Sequence, residues 1–418
     1  MERILTSIDV GTSKICTVVA RMQDSRIVEV LGTGIVPSHG VHKAIVLDIA
    51  EPTAAIKESV AEAERQSGTQ VKSAFIGITG HHIGSYNNRG AIAITRRDHR
   101  ITQREVDKVL SSSKSLPIPP EKRIIHAIPR QFFLDGEEII GSPLRLHGYK
   151  LEVDTHIVTA GVTFIQNLAK CVQGAGVNVT DLILESLASG EAVLEDEEKD
   201  AGVVLADIGA GTTDITVFKR RAIWHSRAVS LGGYNVTKDV AIGLEVPFSV
   251  AEELKVKYAG IYPDAAKPKE IPWGPEGRRT VKYEDLSMIV RARLEEIVSL
   301  IFADLPRADW ETWEPTVLVL CGGTANLPGL ERLGEGILGQ RVRIGRPKGL
   351  PQGVGQFENP AYATGIGLLL WGAKYGYPGS ANSTESVLKR FFAQLGKWRL
   401  SISWPRISFG GSRNGRRL

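Results

Sequence analysis

The sequence predicts a duplicated α/β fold with two inserted subdomains and a C-terminal amphipathic helix on a flexible linker. Three observations lead to this prediction. The stretch ILTSIDVGTSKICTVV, Ile4 to Val19, is nearly repeated as VVLADIGAGTTDITVF, Val203 to Phe218, with Asp207 standing 198 positions after Asp9. The same order of strands and helices surrounds both stretches. Residues 375–384 are rich in Gly, Ser and Pro, and an apolar, basic segment follows them.

The first half begins with a pattern typical of an antiparallel meander. Ile4 to Ile8, Ile15 to Ala20 and Val28 to Ile35 are short apolar runs separated by turn-forming residues. Glu51 to Gln66 is rich in Ala and Glu, with apolar residues one helical turn apart, which predicts an amphipathic helix. Another apolar strand, Ser73 to Gly80, follows it. Together these elements predict an α/β layer built on a mixed sheet.

The second half repeats this order after Val203. A strand, the turn DIGAGTTD and a second strand are followed by RAIWHSRAVSLGG, which predicts a third strand, and by NVTKDVAIGL, which predicts a helix. Two half-sites that face one another could therefore clamp a ligand that bridges the halves.

Two insertions interrupt the halves. Residues 84–163 contain short strands and turn signals (LDGEE, GSP, LHG) in place of alternating helices and strands. A second insertion, about Ala251 to Pro306, combines a Pro-rich loop with a long helix. One face of that helix is expected to be buried, because apolar residues recur at helical spacing: Ile289, Val290, Leu294, Ile297, Val298, Ile301 and Phe302.

The C-terminal segment predicts an amphipathic helix behind a linker. YGYPGSANST, residues 375–384, has little to bury, and Asn382 and Glu385 have the spacing of a capping box. At 100° per residue one arc is apolar: Val387, Leu388, Phe391, Phe392, Leu395, Trp398 and Ile402. Three basic residues lie opposite: Lys389, Arg390 and Lys397.

Charge distribution indicates the partner of this segment. The whole chain carries +4, whereas the part from Ala381 onward carries eight basic residues and one acid, so the body is mildly acidic. An apolar arc with flanking Lys and Arg is typical of binding to an anionic membrane surface. Packing on the body and nucleic-acid binding are the alternatives. A polar, flexible linker disfavours packing of the helix on the body. Nucleic-acid phosphates would make no favourable contact with the apolar arc, so no nucleic-acid partner is expected.

Composition agrees with a globular protein of two or more domains, since 42% of its 418 residues are hydrophobic and 23% are charged. Cys16, Cys171 and Cys321 are isolated from one another, which favours buried free thiols in a reducing cytoplasm. No export signal is visible at the N-terminus. The apolar run GIGLLLW is far shorter than the roughly 20 residues of a membrane-spanning helix.

Each Asp-x-Gly turn is suited to hold phosphate. Glycine lets the backbone approach a ligand, and successive N–H groups converge in one concavity. Hydroxyls and one positive charge could add contacts, and they come from Thr12, Ser13, Lys14, Thr212 and Thr213. Asp9 and Asp207 could hold Mg²⁺ through its waters. An ordinary tight hairpin is the alternative for a single turn, and two matched turns make it much weaker.

The sequence lacks the two commonest nucleotide-binding motifs, so a nucleotide fold of another type is expected. The chain has neither a P-loop of the Gly-x-x-x-x-Gly-Lys-Ser/Thr kind nor a Rossmann Gly-x-Gly-x-x-Gly that opens a helix. The stretch LVLCGGTANLPGL places Gly322 and Gly323 directly after an apolar strand, where the backbone could pass under an adenine ring. A plain strand-to-helix loop remains the alternative there.

Several motifs resemble those of a known superfamily. DVGTSK, DIGAGTTD and LCGGTANLPG resemble, in that order, the phosphate-1, phosphate-2 and adenosine motifs of the actin, heat-shock chaperone and sugar-kinase group of ATPases. Within that group the chain is most similar to the FtsA family of bacterial cell-division proteins, over nearly its whole length. GITGHHIGSYNNRGAIAI, HAIPRQFFLDG, SLGGYNVTKDVAIGL, AEELKVKYAG and NPAYATGIGLLLWG carry this similarity.

The resemblance implies an actin-like ATPase fold with named subdomains. Its divisions, placed on this sequence, are 1–84 and 163–195 (1A), 85–162 (1C), 196–250 and 307–374 (2A), 251–306 (2B), 375–384 (linker), 385–404 (amphipathic helix) and 405–418 (basic tail).

The resemblance also implies ATP and Mg²⁺ as ligands. Nucleotide contacts are expected from Gly11, Thr12, Ser13, Lys14, Gly209, Gly211, Thr212, Thr213, Gly232, Gly233, Glu252, Lys255, Gly322, Gly323 and Thr324. Of these, Glu252 and Lys255 would lie at the ribose and adenine. Asp9, Asp207 and Glu185 would be the catalytic acids, with Glu185 orienting the attacking water. Ser186 replaces the proline usual after that acid, so a carboxylate that only caps its helix is the alternative.

The partners implied by the resemblance are the C-terminal peptide of FtsZ, further copies of the chain in a filament, and the cytoplasmic face of the membrane at the division site. ATP turnover would be weak or slow. A PilM-like adaptor of type IV pilus assembly is the alternative, because it shares the architecture. A sugar kinase is disfavoured because no acidic cluster beyond Asp9, Asp207 and Glu185 stands out, and a chaperone because no peptide-binding domain follows.

Overall fold

A computed structural model describes residues 3–24, 26–262, 266–274, 277–303, 305, 316–351 and 355–376. The predicted amphipathic helix, the basic tail and all of the predicted linker after residue 376 lie outside these residues. Within them, no helix is both long enough and apolar enough to cross a membrane.

The first half starts with the predicted meander. Its elements are β1 (Arg3–Val10), β2 (Lys14–Gln23), β3 (Arg26–Pro37), β4 (Val41–His42), β5 (Ile45–Val46), α1 (Ala50–Ser67) and β6 (Ser73–Ile78). β1 to β3 pair antiparallel, and β6 runs parallel to β1. The predicted apolar face of α1 is buried at Ile56 and Val60. The helix ends at Gly68, whose φ of 63° gives a left-handed cap.

The first insertion is a separate four-stranded antiparallel sheet. It comprises β7 (Gly84–Ala93), α2 (Gln103–Ser113), β8 (Lys122–Leu134), β9 (Glu137–Ile139) and β10 (Lys150–Gly161), in the sheet order β7-β10-β8-β9. The prediction of short strands is wrong here, because β8 has 13 residues and β10 has 12. Helix α2 was not predicted, and it covers the sheet with Val106, Val109 and Leu110.

The chain then returns to the first sheet and passes to the second half through α3 (Val162–Gly174), β11 (Asn178–Leu184), α4 (Glu185–Val193) and α5 (Asp196–Ala201). β11 pairs parallel with β6 and completes the order β3-β2-β1-β6-β11.

The second half contains β12 (Val203–Ile208), β13 (Thr213–Lys219), β14 (Ala222–Val229), α6 (Gly233–Gly243), α7 (Phe248–Tyr258), β15 (Glu270–Trp273), β16 (Arg279–Lys282), α8 (Tyr283–Ala303), β17 (Val317–Cys321), α9 (Leu330–Leu338), β18 (Val342–Ile344) and α10 (Ala363–Tyr375). Three short 3-10 helices lie at Gly323–Asn326, Gly355–Glu358 and Pro360–Tyr362. All six residues of β12 are buried, as expected for a central strand covered on both faces.

The two main sheets have the same topology. The second is ordered β14-β13-β12-β17-β18, so in each sheet the first strand of a meander also pairs with a later parallel strand, and a second parallel strand pairs with that one. The hairpins match in register, with Asp9 opposite Cys16 and Asp207 opposite Asp214. The duplication predicted from the two turns is therefore visible in the backbone.

Three details differ from the predictions. The Pro-rich stretch of the second insertion holds a hairpin, β15–β16, and is not only a loop. The expected face of α8 is buried at five of seven positions (Val290, Leu294, Ile297, Val298 and Ile301), whereas Phe302 is 36% exposed. Tyr375, assigned to the linker by the sequence, is a buried residue at the end of α10 and packs its ring 4.6 Å from that of Trp371.

Candidate functional site

A cleft of about 470 Å³ lies between the two halves, a volume typical of small-molecule sites. Sixteen of the eighteen predicted site residues line it: Asp9, Gly11, Thr12, Ser13, Lys14, Glu185, Asp207, Gly209, Gly211, Thr212, Gly233, Glu252, Lys255, Gly322, Gly323 and Thr324. The duplicated sheets thus bring residues that are far apart in sequence into one concave site.

Two predicted residues support the cleft from behind and do not line it. The Thr213 side chain is buried, and its hydroxyl donates to the Leu231 carbonyl at 2.9 Å. Gly232 packs against the second turn, where a Cβ atom would lie 2.6 Å from the Gly209 carbonyl oxygen. Through these contacts Thr213 and Gly232 help the second Asp-x-Gly turn to keep its shape.

The two Asp-x-Gly turns have the same hydrogen-bond geometry. The Gly11 N–H donates to the Lys14 carbonyl at 3.1 Å, and the Gly209 N–H donates to the Thr212 carbonyl at 2.8 Å. The turns also approach each other, since a Cβ atom on Gly211 would lie 2.7 Å from Thr12 Oγ1. A ligand in the cleft would meet converging backbone N–H groups from both halves.

Lys14 supplies positive charge at the first turn. Its Nζ donates to the Ala361 carbonyl at 2.7 Å and lies 4.3 Å from the centre of the Tyr362 ring. These contacts hold the ammonium at the cleft, where its charge opposes the rise in pKa of the nearby Asp9 carboxyl.

Buried carboxylates form the floor of the cleft. Burial raises the pKa of Asp9 to about 6, and burial together with three neighbouring acids raises the pKa of Glu185 well above its usual value. Burial also raises the pKa of Asp207, although Ser189 and Thr364 hydroxyls donate to this carboxylate and oppose the rise. So much unbalanced negative charge favours a bound cation.

The carboxylates are not arranged as direct metal ligands. Among the described residues, no three His, Cys, Asp or Glu side chains form a group that could coordinate an ion. Mg²⁺ keeps several of its waters in proteins, so this arrangement fits an ion held through water.

A second polar cluster lies at the far end of the cleft. Lys255 Nζ donates to the Gly233 carbonyl at 3.2 Å, to Thr237 Oγ1 at 2.8 Å and to the Glu252 carboxylate at 2.7 Å. Burial lowers the pKa of Lys255, and Glu252 opposes this. The cluster fixes the first turn of α6 against α7 and leaves both side chains on the cleft wall.

Glycine is required at Gly322. Its φ of 85° is left-handed, and a Cβ atom there would lie 2.4 Å from Asp207 Oδ1. The close approach seen here is to the Asp207 carboxylate, and the passage of this backbone under an adenine ring stays a prediction.

Sequence reasoning missed a fourth acid, Asp214. It is buried at the end of the second motif, its pKa is raised to about 7 by burial, and it accepts a hydrogen bond from Thr79 of the first half. The sequence contained a partial signal, because Asp214 closes DIGAGTTD while Cys16 occupies the matching position of the first hairpin. Thr79 could not be found in this way, since it lies 135 positions away.

Ser186, which replaces the expected proline, forms a hydrogen bond between the two halves. Thr216 Oγ1 donates to Ser186 Oγ at 2.6 Å and ties the start of α4 to β13 of the second half. Glu185, one residue earlier, keeps its place on the cleft wall.

Comparison with known proteins gives consistent results. Residues 204–367 match the model of the family "Cell division protein FtsA", and residues 80–159 match "SHS2 domain inserted in FTSA". The cell division protein FtsA of Pseudomonas aeruginosa is 35% identical over 410 residues, covering 95% of this chain and 97% of that protein. That of Bacillus subtilis is 34% identical, covering 88% and 83%.

Solved structures share the fold at low identity. A PilM–PilN type IV pilus biogenesis complex gives a TM-score of 0.65 at 17% identity, covering 88% of this chain and 98% of that one. MreB5 of Spiroplasma citri bound to ADP gives 0.50 at 11%, covering 88% and 96%. These likenesses show the fold alone, whereas identity of about a third over almost the whole length shows the family. The chain belongs to the FtsA family of cell-division proteins.

Proposed function

We propose that this cell-division protein binds ATP with Mg²⁺ in the cleft between its halves. The observation that carries the proposal is the pair of matched turns, which line one cleft together with the hydroxyl residues Thr12, Ser13 and Thr212 and with Lys14. We assign the ribose and adenine to the polar cluster of Glu252 and Lys255, which lines the same cleft. MreB5, a protein of the same fold, was solved with ADP bound.

The carboxylates fit the metal that accompanies ATP. Asp9 and Asp207 are the residues that would hold Mg²⁺ through water, and they are buried among other acids with raised pKa values. When bound, the ion would neutralise charge on the phosphates and on this floor of carboxylates.

Glu185 is proposed to orient the water that attacks the terminal phosphate. It lies in the first turn of α4, on the wall shared by both halves. The wall offers little for a second substrate. We therefore propose slow turnover, with closure of the cleft as the useful output.

The wider role we propose is to tether FtsZ to the membrane, on its cytoplasmic face at the division site. The apolar arc that begins at Val387 would bind anionic lipid, and the second insertion would receive the FtsZ peptide. One apolar side chain of that insertion, Met288 (64% exposed), lies outside the nucleotide cleft and is available to such a partner. The first insertion would join copies head to tail in filaments.

A PilM-like adaptor is the alternative function. It draws on the fold likeness to the PilM–PilN complex, which at 17% identity carries no functional information. The relatives with about a third of residues identical are division proteins. This difference favours the division role.

Calorimetric titration with ATP and Mg²⁺ tests the nucleotide site. Gly323→Trp places an indole on the cleft wall, and Asp207→Ala removes a carboxylate that would hold Mg²⁺, so each should weaken ATP binding about tenfold or more, about 1.4 kcal/mol. Gly336→Trp is the matched control, because a side chain there meets open space on α9. Unchanged affinity in both cleft variants would refute the assignment.

A further inference from the structure

A second, smaller cavity lies directly behind the cleft and shares Glu185 with it. The wall between the two is formed by Val10, Ala44, Thr79 and Glu185. The cavity offers about 20 Å³ to the centre of a water-sized molecule, which is room for one water.

Most of the cavity wall is apolar, so its few polar groups decide what it can hold. The apolar side chains are Val10, Val41, Val46, Ile78, Phe164 and Leu168. The polar ones are Thr79, His82, Asn167 and Glu185. The Thr79 hydroxyl already donates to Asp214. His82, Asn167 and Glu185 therefore remain as possible hydrogen-bond partners of a water. Three partners lie within the two to four that a buried water needs.

His82 is the unusual member of this set. The residue is only 7% exposed, and its Nδ1 is a buried atom with no hydrogen-bond partner among the described residues. Its ring lies 4.2 Å from that of Phe164, which limits its rotation. A buried polar atom without a partner is disfavoured, so a polar ligand is expected beside it.

Burial keeps this imidazole neutral. It lowers the pKa of His82 to about 4, and the neighbouring His81 and Lys122 act in the same direction. A neutral imidazole can either donate to a water or accept from it, according to its tautomer.

We propose that one water in this cavity joins His82 Nδ1 to the Glu185 carboxylate, which makes His82 a positioning residue for Glu185. The inference rests on the proposed function, because Glu185 matters only if it orients the attacking water. On its other side Glu185 faces like charges from Asp9, Asp207 and Asp214. A hydrogen bond from behind would hold its long side chain in one orientation towards the phosphates.

Three variants distinguish the effect of the proposed water from the effect of the imidazole ring. His82→Phe keeps the shape of the ring and removes the nitrogens. His82→Asn keeps a polar atom near the position of Nδ1. Val46→Ile leaves His82 unchanged and adds one methylene to the cavity wall, enough to expel a water. His81→Asn is the matched control, because His81 is the exposed neighbour.

The experiment measures ATP affinity by titration together with kcat and KM for hydrolysis. His82→Phe and Val46→Ile should lower kcat about tenfold or more, as loss of a supporting hydrogen bond does at other sites. They should leave KM and ATP affinity within about twofold. His82→Asn should recover most of the rate, and His81→Asn should match wild type. A normal kcat in His82→Phe, or equal loss in the Phe and Asn variants, would overturn the proposal.

A crystal structure provides a readout that does not depend on turnover. The wild-type structure should show a water within hydrogen-bond distance of both His82 Nδ1 and the Glu185 carboxylate, and the Val46→Ile structure should lack it. A wild-type cavity without this water would overturn the proposal, even if His82→Phe fails to fold. Failure of wild type to bind ATP would instead refute the proposed function, and the two failures remain distinct.

Discussion

At the scale of single residues, the two turns share a backbone but differ in charge. Lys14 and Cys16 of the first hairpin correspond to Thr212 and Asp214 of the second. The duplicated site is therefore asymmetric, with its cation on one side and an additional acid on the other.

The sequence could predict the residues of this site that lie within one turn, such as Asp9 and Asp207, because each turn is a local motif. It could not predict the contact of Thr79 with Asp214, which exists only once the two halves meet. Gly232 and Thr213 show the opposite error, since membership of a motif does not place a residue on the cleft wall.

Glu191 should make the free energy of unfolding depend on pH. Burial alone would raise its pKa, but Lys199 Nζ at 3.1 Å and Lys374 Nζ at 2.8 Å lower it to about 2. A depressed carboxyl pKa contributes stability above the unfolded value near 4.5, and this contribution is lost as pH falls towards 2. Glu191→Gln should therefore lower the free energy of unfolding by about 3 kcal/mol at pH 7, with a smaller loss near pH 3.

Urea denaturation at the two pH values measures this effect. Glu253→Gln is the control, because Glu253 forms only an exposed pair with Lys257 and should change stability by less than about 1 kcal/mol. An equal, small loss in both variants would contradict the assignment of Glu191 as a buried anchor.

At the scale of elements, the first insertion is attached to both halves. β7 follows β6 of the first half, and β10 leads back into α3. β7, β8 and β10 also contact β14 of the second half. His156 of β10 bonds Asn87 at 2.7 Å and Ser226 of β14 at 2.8 Å. Ser85 Oγ donates to the Ser226 carbonyl at 2.8 Å. This junction can transmit movement of the second half to the insertion.

His156→Ala should loosen this junction. It leaves the buried Ser226 hydroxyl without this partner, at a cost of about 1–3 kcal/mol, so amide hydrogen exchange should become faster in β14 and β10. His147→Ala is the control, because this histidine of the same insertion is exposed. Unchanged exchange in β14 would show that the two elements are held together by other contacts.

Element types were largely predictable where periodicity is strong, as in the meanders, α1 and α8. Helix α2 was missed although Thr102 and Glu105 form a capping box, with the Thr102 N–H donating to Glu105 at 3.0 Å. Strand lengths in the insertion were underestimated because Pro129 and several polar residues interrupt the apolar pattern of β8. Tertiary pairing overrides such local signals.

The C-terminal segment should float with anionic vesicles. Phe391→Glu combined with Trp398→Glu places two charges on the predicted apolar arc, so the protein should remain at the bottom of a flotation gradient. Ser386→Glu combined with Ala393→Glu adds the same charge on the opposite face and should still float. Equal flotation of both double variants would remove the anchor hypothesis.

At the scale of the whole molecule, the two halves form one site because helices from distant parts of the chain return to it. α10 is the last described helix, yet the carbonyl of its Gly365 accepts from Ser7 Oγ of β1 at 2.8 Å, and its Thr364 contacts Asp207. The duplication was readable in the sequence. The particular contacts that join distant parts of the chain were not, since contacts 358 positions apart leave no local pattern.

Co-flotation of FtsZ with anionic vesicles tests the proposed role of the whole molecule most directly. With ATP, wild-type protein should carry FtsZ polymers into the floating fraction, as should Ser386→Glu with Ala393→Glu. Phe391→Glu with Trp398→Glu should leave FtsZ at the bottom, as should omission of the protein. FtsZ that fails to float with wild type, or floats equally with the apolar-arc variant, would contradict a tether between FtsZ and the membrane.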